Sequence, residues 1–148
     1  MQIAERPAPS ETPALPWATP PRPVACPSGT ALVVDDSRAA RSVARQILRN
    51  LGFEVREAGD GCEALRVLDL WRTDLVLLDW NMPVMDGLAF LHAFGSSLRS
   101  KRPKIVICTA EHSDDRIRDA FAAGCDEYIM KPFDCETVEA KLRRIGAL

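Results

Sequence analysis

Ala31-Leu32-Val33-Val34-Asp35-Asp36-Ser37 sets four apolar residues directly against two acids and a hydroxyl. Four apolar residues with no polar alternation fit a short strand buried on both faces. The acids end that strand, and Asp36 or Ser37 supplies an oxygen to cap a helix behind it. The pattern recurs down the chain. Leu75-Val76-Leu77-Leu78 ends at Asp79, Ile105-Val106-Ile107-Cys108 ends at Thr109, and Glu127 to Met130 runs into Lys131-Pro132. Phe53, Val55 and Arg56 mark a second strand of more alternating character.

Helical periodicity fills the intervals. Ser37 to Leu51 places Ala40, Val43, Ala44, Ile47, Leu48 and Leu51 on one face, and Gly52 stops it. After the turn Gly59-Asp60-Gly61, a helix is predicted over Cys62 to Trp71, with Leu65, Leu68 and Trp71 partly inward. A third runs from Gly87 to about Leu98 on Leu88, Leu91 and Phe94, and a fourth from Asp114 to Ala123, closed by Gly124. The last spans Asp134 to Ile145 with Val138, Leu142 and Ile145 inward. Five strand–helix units in alternation predict an α/β fold, a parallel sheet covered on both faces.

The remaining composition bounds the function. The chain has 148 residues, 19 basic and 21 acidic, for a formal charge of −2. That length suits one domain. Near-neutral charge without a basic block gives no electrostatic case for nucleic acid or an anionic membrane. No apolar run approaches the roughly 18 residues needed to span a bilayer, and the N-terminus lacks the apolar core of a secretory signal. A cytoplasmic protein with reduced thiols is expected. The five cysteines, Cys26, Cys62, Cys108, Cys125 and Cys135, form no C-x-x-C pair, which argues against zinc. Eight of the eleven prolines fall in residues 1–28. Residues 1–29 are therefore expected to be a proline-rich, disordered tail, with Trp17 its only large aromatic, and residues 30–148 the folded domain.

In an open α/β sheet, ligands sit beyond the carboxyl ends of the strands. The polar residues at those ends are, in chain order, Asp35 and Asp36, Asp79, Thr109 and Lys131. Carboxylates this close repel: a like-charged pair about 4 Å apart costs roughly 4 kcal/mol at an effective dielectric of 20. Such a cluster calls for a divalent cation or a raised pKa. An all-oxygen donor set without thiolate or imidazole suits Mg²⁺, which binds through one or two carboxylates plus a phosphate. A carboxylate in such a site is a competent nucleophile toward phosphorus, with Lys131 neutralising the transferring oxygens.

These segments resemble the response-regulator receiver domains of two-component signalling, of the CheY-like single-domain type. The matching stretches are Leu32 to Ser37, Asp79-Trp80-Asn81-Met82-Pro83, Asp86-Gly87, Thr109-Ala110-Glu111 and Tyr128 to Phe133. The resemblance covers about residues 30–145. It implies a flavodoxin-like (βα)5 doubly wound sandwich with strand order 2-1-3-4-5. It implies that Asp79 is the phosphoacceptor. Asp36 would hold Mg²⁺ directly, Asp35 would assist, and the Asn81 carbonyl would complete the metal's protein ligands with Asp79. Thr109 would bond the phosphoryl group and Lys131 would pair with it. Tyr128 resembles the aromatic that moves from outward to inward when Thr109 shifts. Asn81 and Glu111 occupy the positions that tune dephosphorylation, and Pro132 the family's cis-proline.

The expectation is a stand-alone switch rather than an enzyme. It would take a phosphoryl group from a histidine kinase or a histidine phosphotransfer protein. It would then bind a protein effector through the fourth helix, fifth strand and fifth helix, around Asp115, Arg118, Tyr128 and Lys141. It is expected as a monomer, with pairing on phosphorylation left open. The alternative is a phosphorelay intermediate or phosphate sink with no direct effector. A hydrolase of external aspartyl-phosphate type is disfavoured because Asn81 stands where a second Asp is usual. Trp80 is expected as a partly exposed loop aromatic, and Met82 and Met85 as loop and core residues.

Overall fold

Side chains along a strand alternate between faces, and here both faces are covered. The computed structural model describes residues 29–82, 84–95, 102–111 and 113–148. The elements are β1 (Gly29–Val34), α1 (Arg38–Asn50), β2 (Phe53–Ala58), α2 (Gly61–Leu70), β3 (Leu75–Asp79), α3 (Gly87–Gly95), β4 (Lys104–Thr109), α4 (Asp114–Ala122), β5 (Glu127–Met130) and α5 (Cys135–Arg144). All strand pairs are parallel, in the order β2-β1-β3-β4-β5. This is the flavodoxin-like arrangement, with β2 and β5 at the edges.

Two apolar layers arise from the alternation. Leu32, Val34, Val76, Leu78, Ile105 and Ile107 face α2, α3 and α4, meeting Ala64, Leu68, Phe90, Leu91, Phe94 and Ala120. Ala31, Val33, Leu75, Leu77, Val106, Cys108 and Ile129 face α1 and α5, meeting Ala44, Ile47, Leu48, Val138 and Leu142. The β2 edge carries Glu54, Arg56 and Glu57 between its buried ends Phe53 and Ala58. The β5 edge is only 4 residues long.

Several expectations are corrected. Gly29, assigned to the tail, opens β1. Residues 1–28, with Trp17 and Cys26, lie outside the described residues, as do Pro83 and the end expected for α3. Val43 is 55% exposed, because it faces a groove between α1 and Phe133 instead of the core. Trp71 terminates α2 in extended backbone, under the Arg56 guanidinium at 4.2 Å. Trp80 is 8% exposed, not a surface aromatic. It is roofed by Gly87, where a Cβ would stand 3.1 Å from the Trp80 Cα. Phe90, absent from the expected face of α3, is fully buried. Cys62, Cys108, Cys125 and Cys135 are unpaired thiols. No helix among the described residues is long and apolar enough to cross a membrane.

Candidate functional site

The β1–α1 junction is built by side chains bonding to nearby backbone. Ser37 caps α1, its oxygen accepting the Ala40 N–H at 3.3 Å, and Asp35 Oδ1 accepts the Ser37 N–H at 2.9 Å. These bonds fix Asp35, which is buried, while Asp36 is exposed to solvent. Asp79 is the last residue of β3 and is buried; Thr109 is the last of β4 and is buried too. The Lys131 N–H donates to the Thr109 carbonyl at 2.8 Å, which ties the lysine to the end of β4. The Lys131–Pro132 bond is cis.

Lys131 Nζ stands 2.8 Å from Asp35 Oδ2 and 3.2 Å from Asp79 Oδ1. Asp35, Asp36 and Asp79 each offer one oxygen, all within 4.8 Å of one another. These oxygens fit a hard divalent cation such as Mg²⁺: no soft ligand intervenes, and the cluster holds more negative charge than one lysine neutralises. Burial, then repulsion from Asp35 and Asp36, lifts the Asp79 carboxyl above its usual value against the pull of Lys131. Burial alone would depress the Lys131 ammonium, but its bonds to Asp35 and Asp79 outweigh burial and raise it. Cys108, next to Asp79 across the β3–β4 pairing, is pushed up to about 12 by burial and stays protonated.

The expected residues divide in two. Asp35, Asp36, Asp79 and Lys131 are brought together, with Thr109 at the adjacent strand end. Asn81 is exposed on the loop after β3. Glu111 is exposed and engaged in an ion pair with Arg116 of α4, and its N–H donates to Thr109 Oγ1 at 3.0 Å. Tyr128 is half-buried and meets Phe121 edge-on at 6.2 Å. Asp115 and Arg118 are exposed on α4. A cavity of about 320 Å³ opens beside the carboxylates between α1 and Phe133.

Sequence reasoning missed three groups. Arg41 Nη1 donates to the Asp35 carbonyl at 2.6 Å while its Nε pairs with Glu57 at 3.6 Å. That link depends on β1–β2 register, in which Val33 faces Glu57, and leaves no local signal. Arg116 pairs with Glu111 across a loop. Glu127 is 5% exposed, and the signal for it was present: it shares a strand face with Ile129, a core residue.

Comparison with known proteins bears on the family and the fold. The family described as the response regulator receiver domain matches residues 31–143. The chemotaxis protein CheY of Pseudomonas aeruginosa is 37% identical over 115 residues, covering 77% of this chain and 93% of that protein. The chemotaxis protein CheY-3 of Vibrio cholerae is 38% identical, covering 77% and 88%. The solved structure of Vibrio cholerae CheY4 superposes with a TM-score of 0.74 at 35% identity, covering 78% of this chain and 97% of that one. A CheY-like receiver domain from Methylobacillus flagellatus gives 0.70 at 28% identity, covering 78% and 97%.

Proposed function

This chain belongs to the response regulator receiver domain family, and from that premise we propose that it is a phosphorylation-driven switch whose acceptor is Asp79. The observation that carries the reading is the Lys131 ammonium bridging Asp35 and Asp79, inside a cluster of three carboxylates. A histidine kinase or histidine phosphotransfer protein presents the phosphoryl group. Asp79 Oδ attacks phosphorus, the P–N bond breaks, and the histidine nitrogen leaves with its electron pair. Mg²⁺, held by Asp35, Asp36, Asp79 and the Asn81 carbonyl, would supply charge neutralisation on the phosphoryl oxygens. Lys131 exchanges its bond to Asp79 for one to the phosphoryl group, and Thr109 donates its hydroxyl to another oxygen.

The phosphoryl group adds charge and acceptor oxygens at one strand end. Thr109 turns toward it and leaves room beside Tyr128. The ring and α4 repack, and the α4–β5–α5 face changes its affinity for a protein effector. Chemotaxis-like signalling is the favoured setting, since the Pseudomonas and Vibrio relatives are chemotaxis proteins. The unpaired thiols suit a cytoplasmic place of action. The protein acts as a switch on a partner, not as an enzyme on external substrates.

Intact mass after treatment with acetyl phosphate and Mg²⁺ tests the assignment, with Asp79→Asn alongside. One added phosphoryl group on the wild type and none on the variant is the expected result. Label on Asp79→Asn would overturn the acceptor assignment. A partner whose affinity is indifferent to phosphorylation would favour a phosphate sink instead.

A further inference from the structure

Lys141 reaches around the free edge of β5. It belongs to α5, which packs through Val138 and Leu142 into the same layer as α1. Yet its ammonium lies 4.8 Å from the centroid of the Tyr128 ring, and Tyr128 packs with the opposite layer. Glu127 anchors it. Lys141 Nζ stands 3.5 Å from Glu127 Oε1, Arg144 Nε lies 3.7 Å from Oε2, and the Tyr128 N–H donates to Oε1 at 3.0 Å. A carboxylate buried to 5% exposure holds the cations it meets, because losing them leaves its charge uncompensated.

The other side of the ring is tight. Tyr128, Trp80, Thr109 and Ile117 border a gap of about 10 Å³, room for roughly one water. The ring cannot move inward until a neighbour retreats. In its present position the ring keeps both the Lys141 ammonium and the edge-on contact with Phe121.

We propose that Lys141, fixed by Glu127, is a positioning residue that holds Tyr128 at the sheet edge and so sets how readily phosphorylation of Asp79 reaches the α4–β5–α5 face. The inference rests on the reading of Asp79 as acceptor and Tyr128 as the moving ring. Inward motion breaks the cation–π contact, so a weaker strap shifts the unphosphorylated protein toward the inward state.

Tyr128 is the chain's single tyrosine. The full chain labelled with fluorotyrosine therefore gives one fluorine NMR resonance, recorded with and without acetyl phosphate and Mg²⁺. Lys141→Met keeps the stem and removes the charge. Its unphosphorylated resonance should move toward the phosphorylated position, by roughly a two- to fivefold rise in the inward-to-outward ratio. Glu127→Gln frees the ammonium and should shift the resonance the same way by less. Lys141→Arg should restore the wild-type position. A merely structural pair would lower the Tm of both variants and leave the resonance where it was, which overturns the proposal. Should Lys141→Met fail to fold, Glu127→Gln decides alone. A phosphoryl mass gain in wild type without any fluorine response discards Tyr128 as the moving ring, and the strap with it. No mass gain at all removes the acceptor reading instead, and the inference falls for that separate reason.

Discussion

The two ends of the sheet use the same residue type in opposite ways. At the amino end, Asp74 accepts the Thr30 N–H at 3.0 Å, and Asp126 accepts the Ile105 N–H at 2.8 Å. Each carboxylate there accepts a backbone N–H from the second residue of a neighbouring strand, a bond that stabilises the sheet. At the carboxyl end, Asp35, Asp36 and Asp79 crowd within 4.8 Å, and Lys131 is shared between Asp35 and Asp79. The backbone shows the same division. The αβ turns at the amino end place Gly52 and Gly124 at positive φ, whereas the βα loop after β3 puts Val84, a β-branched residue, at φ 70. At one end carboxylates serve strand donors, and at the other they crowd together near a strained backbone position.

The largest expected effect breaks the crowded end. Lys131→Ala removes the neutralising cation and should destabilise the metal-free protein by about 3 kcal/mol. Urea denaturation measures this, and saturating Mg²⁺ should recover part of the loss by binding only the folded state. Next comes the orderly end: Asp74→Ala strips the bonds to the Thr30 N–H and hydroxyl and should cost about 2 kcal/mol. Mg²⁺ should not rescue that variant, and rescue would erase the contrast between the ends.

Asp79→Asn should have the opposite sign and a smaller size, raising the Tm of the metal-free protein. The folded-state pKa of Asp79 lies above its unfolded value of 3.8. Protonation therefore favours folding, and the charged form is the destabilised one. The advantage of Asp79→Asn should be full above the folded pKa and close as pH falls toward 3.8. Melting curves across that window check it; an advantage that widened toward acid would contradict the assignment. The smallest effect belongs to Val84→Gly, which should stabilise by about 1 kcal/mol through release of left-handed strain. A loss of stability there would place the strain elsewhere.

Legibility in the sequence depended on what each signal rests on. Ala31 to Val34 and Leu75 to Leu78 announced buried parallel strands because burial on both faces removes alternation. Asp35, Asp79, Thr109 and Lys131 could be placed together from the sequence because each stands at or just after the end of a strand, so one-dimensional order maps onto one end of the sheet. The failures sit where position is set by tertiary packing. Val43 obeys helical spacing yet faces a groove, and Trp80 looks like loop yet lies under Gly87. The Arg41–Glu57 pair joins α1 to β2, whose approach no local pattern encodes.

The lateral edges of the sheet carry one more consequence. An open strand edge is a template for another chain's strand, and exposed edges favour aggregation. β2 blunts its edge with Glu54, Arg56 and Glu57, while β5 is short and has the Lys141 ammonium laid around it. A lysine at that place makes strand-to-strand addition bury a charge. Both lateral edges are therefore poor seeds for polymerisation of the chain through its sheet.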